Sequence, residues 1–214
     1  MLLLVNNRRR DLSGAELRFA DWVQTSPRQP GVAVLNVEVP GRGRRSRQVD
    51  ALVWTPQRCI ATEIKGFRRR QDGVLVVPPN GPWLMDDGRV AELYGNDTAH
   101  NPVEQARAAS LATKNWITEV TGEQRLIHGM ALVMLLPGQQ VPRLDCAHTP
   151  PMIDIVVEDY DVWRYYLHLD HAKPARWDSG QVARILTSLG LGSLFQHDPT
   201  TLADALGEPI RRRA

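Results

Sequence analysis

Cysteine is nearly absent from this chain. Its 214 residues include only Cys59 and Cys146, whose separation fits no zinc-ligand spacing, and such scarcity fits a reducing compartment. Cys59 reads as core packing. Lysine is almost as rare: Lys65, Lys114 and Lys173 are the only lysines among 26 basic residues, so nearly all the positive charge is arginine. That bias fits a GC-rich genome as well as it fits chemistry, although the guanidinium fork suits phosphates. No apolar run nears the roughly 18 residues needed to span a bilayer. Met1-Leu2-Leu3-Leu4-Val5 is too short for a secretory h-region, and Arg8-Arg9-Arg10 follows it rather than preceding it. A cytoplasmic protein with no membrane contact is expected. Excess charge is missing too: at a net +2, only the placement of the arginines can announce a nucleic-acid ligand.

The signatures of several other chemistries are lacking. There is no G-x-S-x-G elbow, and Gly41-Arg42-Gly43 has none of the rest of a dinucleotide fingerprint or P-loop. His168-Leu169-Asp170-His171 has no further ligand cluster to join and reads as surface histidines. Glu158-Asp159-Tyr160-Asp161 reads as a solvated acidic run.

What is present is an ordinary globular composition, 43% hydrophobic and 23% charged, enough for one core plus a small appendage. Ser13-Gly14-Ala15-Glu16 has the S-x-x-E form of a capping box and opens a helix to about Gln24, stopped at Ser26-Pro27. Val32, Val34, Val37 and Val39 mark a strand whose alternation breaks around Leu35-Asn36. Val74–Val77 reads as a further strand, and Trp83-Leu84-Met85 as a short one continuing the same meander. The stretch from Arg89 to His100 gives no clear pattern. Asn101-Pro102-Val103-Glu104 is a strong helix start, followed by Ala106, Ala109, Ala112, Trp116 and Val120 at helical spacing. Met130–Leu136 is expected as a central strand and Met152–Val157 as a shorter one, with 142–151 irregular between them. Helices capped at Asp178 or Ser179 and at Asp198 follow, and Arg211-Arg212-Arg213 reads as a frayed basic end.

The chain is organised around Gln48–Trp54, a turn at Thr55-Pro56-Gln57-Arg58, and Cys59–Lys65, which reads as a β-hairpin. Symmetric closure sets Trp54 opposite Cys59 and Asp50 opposite Glu63, sharing one face. Strand alternation adds Lys65 to that face. Two carboxylates so placed raise one pKa unless a cation lies between them. A divalent ion such as Mg²⁺ supplies that charge, and Lys65 is then placed to polarise water or steady a phosphate oxygen. A solvated sheet face with a weak Glu–Lys pair accounts for the same spacing. Glu16 has two employments, as the N3 residue of the cap or as a carboxylate reaching the sheet. Gln105, in the first turn of its helix, meets either a ligand or water. Arg42, Arg44, Arg45 and Arg47 precede the hairpin and Arg68, Arg69 and Arg70 follow it. They are a phosphate-contacting surface or solvated loops.

The order helix, three or four strands, helix, strand resembles the α-β-β-β-α-β core of the PD-(D/E)xK nuclease superfamily. More narrowly, the chain resembles the nuclease-related domain (NERD) family. The resemblance rests on Gly14-Ala15-Glu16, Val49-Asp50-Ala51-Leu52-Val53, Glu63-Ile64-Lys65-Gly66 and Asn101-Pro102-Val103-Glu104-Gln105-Ala106. It implies an α/β, restriction-endonuclease-like fold with a mixed central sheet flanked by helices. The nuclease domain is expected over residues 1–172, with a helical C-terminal extension over 173–214. It also implies that Asp50 and Glu63 hold Mg²⁺ or Mn²⁺, that Lys65 serves the nucleophilic water, and that Glu16 and Gln105 support the site. Val49 stands where the superfamily motif has proline, and Ala51 where this branch often has histidine. Two functions follow. One is a metal-dependent nuclease acting on nucleic acid, with DNA expected; the other is a non-catalytic nucleic-acid or protein-interaction module of a DNA-processing or phage-defence system.

Overall fold

The fold is taken from a computed structural model, which describes all residues except 7–11, 26–28, 42–45, 96–100, 159–160, 164–166, 168–171, 197 and 210–214. The strands are β1 (Leu2–Val5), β2 (Val32–Pro40), β3 (Ser46–Trp54), β4 (Cys59–Gly66), β5 (Val74–Val77), β6 (Leu84–Met85), β7 (His128–Met134), β8 (Arg143–Cys146) and β9 (Ile153–Val157). Helices among the described residues include α1 (Gly14–Gln24), α2 (Pro102–Thr121), α3 (Ser179–Ser188) and α4 (Pro199–Leu206), with a 3-10 turn at Gly192–Phe195. A six-stranded sheet in the order β1-β2-β3-β4-β7-β9 forms the centre. Its β2-β3-β4 portion is antiparallel and the outer pairings are parallel. From α1 to β7 the chain therefore follows the expected α-β-β-β-α-β order, on a mixed sheet flanked by helices.

The hairpin closes as its turn length dictates. Thr55 and Arg58 exchange backbone hydrogen bonds at 2.9 and 3.3 Å, and Trp54 pairs with Cys59 and Ala51 with Thr62. On β2 and β3 the buried face shifts by one residue partway along. Val32 and Val34 share a cluster with Val37 and Val39, and on β3 Leu52 and Trp54 share it with Val49. Between these sets Asn36 takes a left-handed backbone, φ +57°, which asparagine tolerates better than most residues. Leu35 pairs with Ala51 and Val37 with Val49, so the break falls at Asn36 and Asp50. Asp50 stands at a step in the sheet.

α1 is held by the full capping box between Ser13 and Glu16 and buries Phe19, Ala20 and Val23 against Leu35, Ala51, Val53 and Ile60. It ends at Gln24 with Thr25 as C-cap, while Ser26 and Pro27, expected as its stop, lie outside the described residues. α2 starts at Asn101, whose Oδ1 accepts from the Val103 and Glu104 amides, and ends at Gly122 in the left-handed region. It lies close on the sheet because Gly129 has no side chain: a Cβ there would meet the Ala106 carbonyl oxygen at 3.0 Å. Ala109 and Ile117 join a core that also takes Trp177, Val182, Ile185, Leu186, Phe195 and Leu202. The C-terminal helices thus share the core of β2 and β3.

Two expectations need correction. Val74–Val77 does not extend the central meander, because the free edge of β4 is taken by β7 in a parallel register from Ile60–His128 to Gly66–Met134. It forms instead a second sheet, β6-β5-β8. Residues 142–151, expected to be irregular, supply β8, paired parallel to β5. Leu2–Val5 forms a strand that covers the edge of β2.

Candidate functional site

Asp50, Glu63 and Lys65 lie where β3 and β4 part company. Beyond the Ala51–Thr62 pair the backbone ladder stops, and the Asp50 side chain takes over: its Oδ2 accepts the Ile64 amide at 2.9 Å. Lys65 Nζ donates to Glu63 Oε1 at 2.6 Å. The Glu–Lys pair of the plainer reading is therefore real, but the face is not solvated: Asp50, Glu63 and Lys65 are 8%, 9% and 7% exposed. A buried pair of carboxylates answered by one ammonium is costly in a way that a surface pair is not.

The electrostatics record that cost. Burial, helped by the Glu63 charge, pushes the Asp50 carboxyl up to about 7. The Ile64 amide and the Lys65 ammonium oppose the shift, and Glu16 adds to it. Glu16 fills its capping role, and its charge also reaches Asp50. Its Oε2 accepts the Ser13 amide at 2.7 Å within the capping box, while its buried carboxylate, 1% exposed, acts on Asp50. Three acidic groups and one lysine share one electrostatic neighbourhood. Yet among the described residues no three His, Cys, Asp or Glu side chains are grouped as a metal cage.

Gln105 occupies the first turn of α2, where its amide bonds to the Asn101 carbonyl. Its side-chain Oε1 is buried with no hydrogen-bond partner. An unmet acceptor of this kind is costly unless a water or ligand answers it.

A neighbour from outside the motifs also belongs to this site. Phe67 bridges to Leu93, and the Tyr94 amide donates to the Gly66 carbonyl at 3.0 Å, which lays Tyr94-Gly95 alongside the end of β4. Gly95 has φ +71°, and a Cβ there would sit 3.0 Å from Lys65 Nζ. The positive φ favours glycine there, and any side chain would press on the Lys65 ammonium. Residues 89–100 carry no periodicity, so only the glycine hinted at this approach.

The arginines divide. Arg42, Arg44 and Arg45 lie outside the described residues, as do His168, Asp170 and His171. Arg47 is exposed on β3, three residues before Asp50, or about 10 Å along the strand. It lines a cleft of about 850 Å³ with Lys114 and Trp116 of α2. Arg69 pairs with Glu92 at 3.3 Å, and Arg70 Nη2 donates to the Pro137 carbonyl at 2.5 Å. Arg68 lies over the Tyr94 ring, 4.9 Å from its centroid.

A model of the nuclease-related domain family matches residues 12–134, more than half of the chain. The chain belongs to the nuclease-related domain family. The matched span runs from the α1 cap through β7 and so contains Glu16, Asp50, Glu63, Lys65 and Gln105. Membership of a nuclease-related family suggests a nuclease-like function with nucleic acid as partner. The comparisons with curated proteins and with solved structures give no match. No helix among the described residues is long and apolar enough to cross a membrane.

Proposed function

We propose that this nuclease-related domain is a divalent-metal-dependent nuclease that hydrolyses phosphodiester bonds, with DNA as the expected nucleic acid. The observation that carries the reading is the joint burial of Asp50, Glu63 and Lys65 at the step between β3 and β4. A divalent cation fits the electrostatics. With the Asp50 carboxyl held up to about 7 by burial and Glu63, the pair lacks counter-charge that one ammonium does not supply. Its donors are all oxygen, which suits Mg²⁺ or Mn²⁺ held by one or two carboxylates plus waters and substrate oxygens. Asp50 and Glu63 would hold it.

When bound, such an ion supplies Lewis acidity at the scissile phosphate and acidifies a water toward neutral pH. The chain's own residues do the remainder. Asp50 is a competent ligand only when deprotonated. Lys65 has three donors; one goes to Glu63, which leaves two to orient the attacking water or a non-bridging phosphate oxygen. Glu16 fixes the start of α1 beside the site and adds negative charge near Asp50. Gln105 offers its buried Oε1 to a water of the site.

A non-catalytic interaction module is the competing reading, favoured by the lack of a three-donor cage among the described residues. The two are separated by incubating labelled DNA and RNA, single-stranded and duplex, with Mg²⁺, Mn²⁺ or EDTA. Cleavage that needs metal and is lost in Asp50→Asn supports the nuclease; binding without cleavage under every condition supports the module.

A further inference from the structure

Between the start of α1 and the end of β4 lies a groove of about 330 Å³, at the small end of ligand-sized pockets; Ile64 and Gly66, the neighbours of Lys65 on the strand, line it and Lys65 itself does not. Its lining is mainly apolar, with Ala15, Ile64, Phe67 and Met134, and it also carries Tyr94, Arg68 and Arg18, the last paired with Glu158. Tyr94 is 60% exposed, an unusual place for so much aromatic surface one residue from the glycine that covers Lys65 Nζ. The groove stays open because position 66 is glycine: a Cβ there would meet Ala15 Cβ at 3.1 Å and the Tyr94 ring at 3.9 Å. Apart from its place over the Tyr94 ring, Arg68 has no carboxylate partner among the described residues. Its neighbours Arg69 and Arg70 are committed to Glu92 and to the Pro137 carbonyl.

We infer that this groove receives an unpaired nucleobase, which stacks on Tyr94 while Arg68 holds the adjoining phosphate, so that the nuclease acts on single-stranded nucleic acid. The proposal rests on the nuclease reading and names its substrate class. A ring with an exposed surface, a guanidinium over it and a mainly apolar lining are the parts from which strand-binding platforms are made: every base has a stacking face, and arginine adds cation–π and phosphate contacts. In duplex DNA the base faces are already stacked on their neighbours, so a paired base is not available to a groove of this size. Arg68 answers the phosphate charge, and its fork suits a bidentate phosphate contact. Free nucleotides share the base and the phosphate but lack the continuing strand that would run on beyond the groove.

The test is fluorescence anisotropy in EDTA, where no metal-dependent cleavage occurs, with one labelled single strand and its blunt duplex. Wild type, Tyr94→Ala, Tyr94→Phe, Arg68→Gln and a control, Leu126→Ser, at an exposed apolar residue outside the groove, are compared. Tyr94→Ala is expected to lower single-strand affinity roughly tenfold, the scale of one base–aromatic stack, and the single-strand-to-duplex ratio by a similar factor. Tyr94→Phe should keep the ratio, since only the ring is needed. Arg68→Gln should weaken single-strand binding and flatten its salt dependence by about one phosphate contact. The control should change neither. A ratio unchanged in Tyr94→Ala, or equal losses on both forms, overturns the groove; if wild type still cleaves with metal, the nuclease reading survives. Wild type that binds no strand and cleaves nothing overturns both. Competition by a mononucleotide as strong as by the strand would assign the groove to free nucleotides instead.

Discussion

Asp50 makes the site answer to pH. Its carboxyl is held up to about 7 in the folded protein, against roughly 3.9 in an unfolded chain. Between those values the folded state keeps a proton that the unfolded state releases, so stability is fully present below about pH 4 and falls as pH rises through about 7. Metal-free protein should therefore melt higher near pH 5 than near pH 8. Asp50→Asn should remove much of that difference and melt above wild type at the higher pH, as paired thermal melts would show. Because a ligand must lose its proton, Mg²⁺ or Mn²⁺ affinity should fall as pH drops through about 7, measurable by calorimetric titration on either side of that value. Lys65→Ala should suppress turnover while reducing metal affinity less than Asp50→Asn does, since lysine acts on water or phosphate. At this scale the sequence was informative. The spacing of Asp50, Glu63 and Lys65 over a four-residue turn placed them on one face, but their burial depends on elements far along the chain. Glu16 fills the capping role that its S-x-x-E spacing announced, while its electrostatic reach to Asp50 depends on how α1 packs on the sheet.

The elements show where local pattern suffices. The hairpin register followed from turn length, and α2 from Asn101 and Pro102, because each rests on contacts within a few residues. Asn101→Ala should cost roughly 1 kcal/mol from the cap alone, and more because Asn101 Nδ2 also donates to the Gly81 carbonyl at 2.7 Å; urea denaturation would measure it. The broken alternation at Leu35-Asn36 was visible, but its outcome, a step that delivers Asp50, follows from the left-handed turn at Asn36 and from pairing with β3. The place of β5 was illegible because it depends on which strand claims the edge of β4, and β7, some 50 residues later in the chain, claims it. Tyr94-Gly95 escaped for a similar reason, since a two-residue turn after a single bridge at Leu93 has no period. Gly95→Val should lower turnover, as it would strain a backbone at φ +71° and crowd Lys65 Nζ. The measurement is kcat beside a melting curve, with activity falling further than stability predicts.

At the scale of the whole molecule, one core joins the family-matched span to the C-terminal helices. Val182, Ile185, Leu186 and Leu202 pack with Val32, Val34, Leu52 and Trp54. A chain ending at residue 172 should therefore lose cooperative unfolding, as calorimetry would record, because it exposes one face of β2 and β3. Near-zero net charge leaves binding to the local arginines, so nucleic-acid affinity should fall with salt by roughly 0.9 log units per phosphate contact on duplex and 0.7 on single strands. Arg47→Gln and Arg68→Gln should each reduce that slope. The cation-dependent chemistry of Asp50 and Glu63 stands or falls on one experiment. Cleavage of single-stranded and duplex DNA and RNA is followed with Mg²⁺, Mn²⁺ and EDTA for wild type, Asp50→Asn and Glu63→Gln, and each protein's melting temperature is recorded with and without metal. Wild type should cleave only with metal and be stabilised by it, by mass action on the folded state, and both variants should fold, cleave nothing and gain less from metal. Equal metal shifts in wild type and Asp50→Asn, with no metal-dependent cleavage by wild type on any substrate, would contradict that chemistry.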